Sequence, residues 1–320
     1  MRWRSDPSQI RGSIAPVVTP FDAEGAVDLE GLRGLVRWQV ASGSHGISIG
    51  GSTGEPSALG VGERIAAMAA ASEVIDDRVP FLPGTGSTRL DETLELTEAA
   101  ASLGADAVLV ITPYYARPTQ EGLVAWFAAV ASEFPSLPIV IYNVPSRTAV
   151  DVAPETVAQL RRRFDNVVGV KETTKDFEHF SRVLKVAGRD TLVWSGIELL
   201  CLPLLSLGGV GFVSAVANVA PEAVARMYEC WDQGRHEEAR ALHYALHPLV
   251  DLVFVETNPA PVKWVLHRSG LIGSAVVRPP LAGLSEPGQA RVRALLSEGA
   301  EVVHGPIAEL AASLGTGRGE

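Results

Sequence analysis

Lys171 ends the short apolar run Val167-Val168-Gly169-Val170-Lys171. A free lysine amine keeps its proton up to a pH of about 10.4 and is then a poor nucleophile, but a desolvated one can attack a carbonyl carbon. Strand alternation would put Lys171 on the face shared with Gly169. A lysine snorkelling to solvent fits the same position. Tyr142 lies near the end of a second run, Ile139 to Asn143, where a phenol could pass protons to and from an amine; a tyrosine capping apolar core fits too. The turn Gly51-Ser52-Thr53-Gly54 offers two hydroxyls and backbone N–H groups free to converge on an anion. It lacks the lysine of a nucleotide-phosphate loop, so a small carboxylate suits it better. Arg147, a few residues past Tyr142, carries a planar fork that could take a second carboxylate or an ordinary surface partner.

Other chemistries lack their residues. Gly84-Thr85-Gly86 is followed by Arg89 where a dinucleotide fingerprint needs glycine. His243 and His247 stand four apart, but Tyr244 replaces the glutamate of a zinc-protease helix and no third ligand is apparent, so they read as a solvated helix face. No G-x-S-x-G elbow occurs. Neither a cofactor nor a metal is expected.

The elements that must hold these groups alternate. Eight β-branched runs are candidate strands: Ser13 to Val18, His45 to Ile49, Val79 to Pro83, Ala107 to Ile111, Ile139 to Asn143, Val167 to Lys171, Thr191 to Ser195 and Gly211 to Ser214. Between them, segments such as Leu29 to Ala41, Leu90 to Leu103 and Gln120 to Phe134 repeat apolar residues at helical spacing. Continuous apolar strands suit a parallel sheet buried on both faces, and eight strand–helix units suit an α/β fold of the (β/α)₈ TIM-barrel type. An open doubly wound sheet is the alternative. Pro16 weakens the first run, since it removes a ladder donor. From Pro221 onward only helical segments follow, including Pro221 to Gln233, Glu237 to Val255 and Pro287 to Leu296. The expected division is a catalytic barrel over 10–233 and a C-terminal helical appendage over 234–313. Loops after the strands of such a barrel gather on one face, which would bring Ser52, Tyr142, Arg147 and Lys171 together.

The chain has 320 residues and a net charge of −10, which argues against nucleic acid or an anionic membrane surface as partner. Its two cysteines, Cys201 and Cys230, form no metal or redox spacing. No apolar run approaches the ~20 residues that span a bilayer and no leader is apparent, so a cytoplasmic, unprocessed protein is expected. Gly315 to Glu320, glycine-rich and polar, are expected to fray.

With these motifs in place, the chain resembles the pyruvate-dependent class I aldolases typified by dihydrodipicolinate synthase and N-acetylneuraminate lyase. The likeness runs from Gly12-Ser13-Ile14-Ala15-Pro16-Val17-Val18-Thr19-Pro20-Phe21 through Gly50 to Glu55, Pro113-Tyr114-Tyr115, Tyr142 to Thr148 and Gly169 to Glu172. It continues through Gly208-Gly209 and Ser214 to Asn258-Pro259-Ala260-Pro261-Val262-Lys263-Trp264. The resemblance implies that Lys171 forms a Schiff base with pyruvate, that Tyr142 relays protons, and that Thr53 links Tyr142 to Tyr115, which reaches across a dimer interface. It further implies that Ser52, Thr53 and Gly54 hold the pyruvate carboxylate, that Gly196, Val213 and Ser214 line the pocket, and that the chain forms a homotetramer. The Asn-Val-Pro-Ser-Arg-Thr segment resembles the synthase branch, in which Arg147 would bind aspartate semialdehyde. Ser52, Pro56, Lys175, Phe177 and Ile197-Glu198 depart from the usual synthase residues. A catabolic aldolase or dehydratase of the same family is therefore the alternative, and a non-catalytic 2-oxo acid binding barrel a third reading.

Overall fold

The computed structural model describes residues 2–315; residues 316–320 of the segment expected to fray lie outside that range. Seven parallel strands form one sheet: β1 (Gly12–Pro16), β2 (Gly46–Ser48), β3 (Val108–Ile111), β4 (Ile139–Asn143), β5 (Val167–Glu172), β6 (Leu192–Ser195) and β7 (Gly211–Val213). Their order, β2-β1-β7-β6-β5-β4-β3, leaves β2 and β3 at the two edges.

The run expected as a third strand, Val79 to Pro83, closes the gap between those edges without becoming a strand. Single parallel bridges join Ile47 to Phe81 and Gly84 to Leu109. The Leu82 N–H donates to the Ile47 carbonyl at 2.8 Å, the Gly84 N–H to Ile49 at 2.7 Å, and the Leu109 N–H to the Pro83 carbonyl at 2.9 Å. Pro80 and Pro83 have no N–H to give, so the ladder on either side is broken into single bonds. With this eighth stave the sheet closes on itself into a TIM barrel, and an open sheet is excluded. Pro16 is accommodated as the last residue of β1.

Two hydrophobic clusters match the two sides of a closed sheet. Ile14, Leu82, Leu109, Val140, Trp194 and Val213 come from staves all round the ring and pack together inside it, with Trp3 of the N-terminal turn. Trp3 shares this inner cluster while Arg4, beside it, binds the Ala105 carbonyl at 3.0 Å through Nε. The second cluster lies between sheet and helices. It joins Leu32, Phe127 and Phe180 of the surrounding helices to Leu249, Val265 and Leu296 of the C-terminal ones without interruption.

The helix expected over Glu237 to Val255 is two, His236–Ala245 and His247–Val253. Pro248 sits in the first turn of the second, where a missing N–H costs nothing but where the preceding helix cannot continue. The Ala260–Arg268 helix follows, then Glu286–Glu298 and Gly305–Gly315.

Candidate active site

Tyr142 and Lys171 are directly paired residues on the adjacent strands β4 and β5. The Lys171 Nζ lies 3.9 Å from the centroid of the Tyr142 ring. Both side chains are buried, yet both line a cavity of about 680 Å³ at the C-terminal ends of the strands. Among the described residues no carboxylate lies within ion-pair distance of Lys171. Gly169 is required behind it, because a Cβ there would fall 1.9 Å from the Leu192 carbonyl oxygen on β6. Gly196 is required in front, because its Cβ would meet the Lys171 Cε at 3.0 Å and the Thr173 hydroxyl at 2.2 Å.

Ser52–Gly54 form a single 3₁₀ turn at the cavity edge. Such a turn advances about a third of a revolution per residue, so neighbouring side chains diverge. The Ser52 Oγ meets the Tyr142 hydroxyl at 3.2 Å, while the Thr53 Oγ1 accepts a 3.0 Å hydrogen bond from the Asn258 Nδ2. The hydroxyl beside Tyr142 is therefore that of Ser52, which corrects the expectation for Thr53. Burial opposes ionisation of the Tyr142 phenol, but Lys171, the Ser52 hydroxyl and Arg147 outweigh it and hold its pKa below the ordinary tyrosine value.

Arg147 belongs to the helical turn Pro145–Thr148 after β4. It lines the 680 Å³ cavity together with Lys171 and Lys175. Among the described residues the only carboxylate in that wall is Glu198, and its oxygens are engaged, accepting from the Ser214 hydroxyl at 2.5 Å and the Ala215 N–H at 2.6 Å. Burial pushes the Glu198 carboxyl above its usual range against those hydrogen bonds and the nearby Lys171. The cavity thus presents cations to an anionic guest.

Gly196 and Val213 stand in the wall. Ser214 and Gly54 do not. The Ser214 hydroxyl is turned onto Glu198, and Gly54 lies behind the turn, its carbonyl accepting from the Thr19 hydroxyl at 2.7 Å. Tyr115 is also outside this cavity: it is 97% exposed. Its neighbour Tyr114 instead lines a smaller space of about 220 Å³ that shares Ser52, Tyr142 and Arg147 with the larger one.

Several residues escaped the sequence reading. Asn258 and Phe254, far along the chain, supply part of the cavity wall. Lys263 is wholly buried, its Nζ 2.5 Å from Glu55 Oε1 and 2.9 Å from the Val276 carbonyl. Glu55 ends the hydroxyl turn in a left-handed conformation, φ 54°, and also accepts from the Arg278 N–H at 2.9 Å. The C-terminal helices thereby anchor the turn that presents Ser52. The quoted Asn258 to Trp264 motif held this signal, but nothing local in it points to a partner two hundred residues away. His243 and His247 stack edge to face with ring centroids 5.2 Å apart. The one group of three possible metal ligands among the described residues is elsewhere, at Asp151, Glu172 and His179.

Comparison with known proteins agrees with this architecture. Residues 9–299 match the model of the dihydrodipicolinate synthetase family. A 4-hydroxy-tetrahydrodipicolinate synthase of Thermus thermophilus is 46% identical over 283 residues, 88% of this chain and 94% of that protein. The synthase of Thermodesulfovibrio yellowstonii is 39% identical over 89% of this chain and 97% of its own length. Among solved structures, dihydrodipicolinate synthase from Thermotoga maritima superposes with a TM-score of 0.87 at 38% identity, covering 91% of this chain and 99% of that one. The chain belongs to the dihydrodipicolinate synthetase family.

Proposed function

We propose that this protein condenses pyruvate with aspartate 4-semialdehyde to give 4-hydroxy-tetrahydrodipicolinate. The reading rests above all on the Lys171 amine, 3.9 Å from the Tyr142 ring centroid in a cavity that also holds the Ser52 and Thr53 hydroxyls and Arg147.

The Lys171 amine adds to the C2 ketone of pyruvate, and loss of water from the carbinolamine leaves an imine. Tyr142 supplies and recovers the protons of these steps, and Ser52 connects its hydroxyl to the next carrier. The imine nitrogen then draws electrons from C3, which gives up a proton and attacks the aldehyde carbon as an enamine. Attack of the aldehyde substrate's own amine on C2 closes the ring and releases Lys171. The imine is itself the electron sink, so the chemistry needs no external cofactor. The turn at Ser52 and Thr53 receives the pyruvate carboxylate, and Arg147 takes the carboxylate of the second substrate as a bidentate pair. Residues 10–233 form the catalytic barrel, and 234–313 complete the cavity wall and buttress its hydroxyl turn. Exposed Tyr115 is available to a second copy of the chain, in keeping with a homotetramer that works in the cytoplasm.

Ile197 and Lys175 in the wall support a second reading, an aldolase or dehydratase acting on a sugar-acid or aromatic-derived 2-oxo acid. The test has two stages. Borohydride reduction in the presence of pyruvate should add the pyruvate mass to Lys171; an unlabelled chain rejects both readings. Turnover with aspartate 4-semialdehyde should then exceed that with any other aldehyde, and a preference of about tenfold in kcat/KM for another one selects the second reading.

A further inference from the structure

Neighbours along a strand point to opposite faces. Asn143 follows Tyr142 and Glu172 follows Lys171, so both turn away from the cavity, toward the Phe177–Val186 helix that carries His179. Only 1% of the Glu172 side chain is exposed, yet among the described residues no lysine or arginine lies within ion-pair distance of it or of nearby Asp151. One amide holds the two carboxylates. The Asn143 Nδ2 donates to Glu172 Oε1 and Oε2 at 2.9 and 3.1 Å and to Asp151 Oδ1 at 2.6 Å. Its Oδ1 accepts from the Val152 N–H at 3.1 Å, which fixes the way the amide faces. An amide carries no net charge, whereas a carboxylate buried this deeply ordinarily has a cation beside it.

The His179 side chain is 9% exposed, and its Nε2 stands 3.1 Å from Glu172 Oε2. It makes no hydrogen bond with that oxygen or with any other atom of the described residues. The distance is short enough for one; the angle is not. A buried ring nitrogen in this position calls for a ligand. Two groups that bind one ion at about 2.0–2.2 Å stand roughly 3 Å apart with the ion off the line between them, and Nε2 and Oε2 are related in that way. Asp151 Oδ2, the oxygen that Asn143 leaves free, is 3.9 Å from His179 Nδ1, and the three residues offer ligand atoms all within 4.8 Å of one another. Asp151 is half-exposed, so it can swing the remaining distance and leaves a way in from solvent. Asn143 then has the place of an outer-shell partner: its hydrogens take one lone pair on each oxygen they reach and orient the rest, as ligating carboxylates are usually oriented.

We propose that Asp151, Glu172 and His179 bind a divalent transition-metal ion of the zinc class, which ties the ends of β4 and β5 to the helix behind them. One imidazole and two carboxylates suit Zn²⁺ or Co²⁺ rather than Mg²⁺ or Ca²⁺, which take oxygen ligands. The two negative charges match the two positive ones of the ion. The site lies across the strands from Lys171, so the ion is a clamp and takes no part in bond-making.

In the experiment the full-length protein, stripped with a chelator and dialysed, is titrated with Zn²⁺ by calorimetry and with Co²⁺ by visible absorption. Wild type should take up one equivalent, show the ligand-field bands of a nitrogen–oxygen set with Co²⁺, and unfold at a higher temperature with Zn²⁺ than without. His179→Gln should bind at least about tenfold more weakly, since even outer-shell changes cost that much in such sites, and should lose the Zn²⁺-dependent rise. Asp151→Asn, at a half-exposed position, should weaken binding as much and decides the matter if His179→Gln fails to fold. His243→Gln combined with His247→Gln removes the stacked pair of imidazoles elsewhere and should leave binding unchanged. The proposal is overturned if wild type binds no ion, if His179→Gln, or Asp151→Asn in its stead, binds as wild type does, or if the double histidine variant is the one that loses binding. None of these measurements involves pyruvate, so their outcome is separate from that of the proposed condensation.

Discussion

Around Lys263 the protein closes completely. The amine touches Glu55 at 2.5 Å and the Val276 carbonyl at 2.9 Å, lies 3.8 Å from the Phe21 ring centroid, and has no exposed surface. Around Lys171 it stays open: an aromatic ring on one side, a cavity of about 680 Å³ on the other, and no ion-pair partner among the described residues. Burial pushes the Lys263 ammonium down to about 8 although Glu55 and its hydrogen bond pull upward. By proton affinity alone Lys263 would pass for an activated amine. What separates the two is reach: a carbonyl carbon can approach Lys171, whereas a carboxylate already fills the place where one would meet Lys263. The first lysine can do chemistry and the second secures the turn on which that chemistry depends.

The most severe way to break this contrast is at Lys171. Lys171→Arg keeps a cation but cannot form an imine, so turnover should fall to background while the thermal unfolding midpoint stays near that of wild type. A variant that still condenses pyruvate would move the nucleophile elsewhere. Tyr142→Phe should come next, lowering kcat by about 10²- to 10⁴-fold, the usual loss of a general acid–base group. Steady-state kinetics with saturating pyruvate reads it, and an unchanged kcat would remove Tyr142 from the relay.

At Lys263 the effect should be on stability rather than chemistry. Lys263→Met leaves the Glu55 carboxylate buried without its cation, at a cost of about 3–5 kcal/mol. Lys263→Met combined with Glu55→Gln should recover much of that, since a buried pair replaced on both sides is often nearly neutral. Denaturant unfolding of the two variants measures the difference. Pyruvate trapping on Lys171 by the folded Lys263→Met variant should persist; pyruvate mass found on Lys263 of the wild type would erase the contrast between the two lysines.

The same contrast explains what the sequence could reveal. Lys171, Tyr142 and Arg147 are legible because each ends or follows an apolar run, and strand ends of a barrel converge whatever their distance along the chain. The repeating runs likewise carry the barrel itself. The stave at Val79 to Pro83 is only half legible: its apolar character marks a place in the ring, while Pro80 and Pro83 decide that it joins through single bridges. Lys263 and Asn258 are legible only as members of the Asn258 to Trp264 motif, because neither a helix residue nor the turn just before that helix gives a local sign of a partner on a distant loop. Ser52 and Thr53 fall between. Two adjacent hydroxyls announce a polar turn, but only the rotation of the 3₁₀ turn assigns one to Tyr142 and the other to Asn258.

That division of labour sets the finest test. Ser52→Ala removes the hydroxyl 3.2 Å from the Tyr142 phenol and should lower kcat about fivefold, the worth of a hydrogen bond of ~1 kcal/mol, with little change in stability. Thr53→Val keeps the shape but leaves the buried Asn258 Nδ2 without its acceptor. It should cost about 1–3 kcal/mol in unfolding free energy and disturb kcat less than Ser52→Ala does. Ser52 belongs to the open side of the molecule, where a lost hydroxyl interrupts proton movement. Thr53 belongs to the closed side, with Lys263 and Glu55, where a lost hydroxyl loosens the grip of the C-terminal region on the turn. If Thr53→Val proved the more damaging to kcat and the less damaging to stability, the boundary between the two sides would have to be drawn on the other side of residue 53.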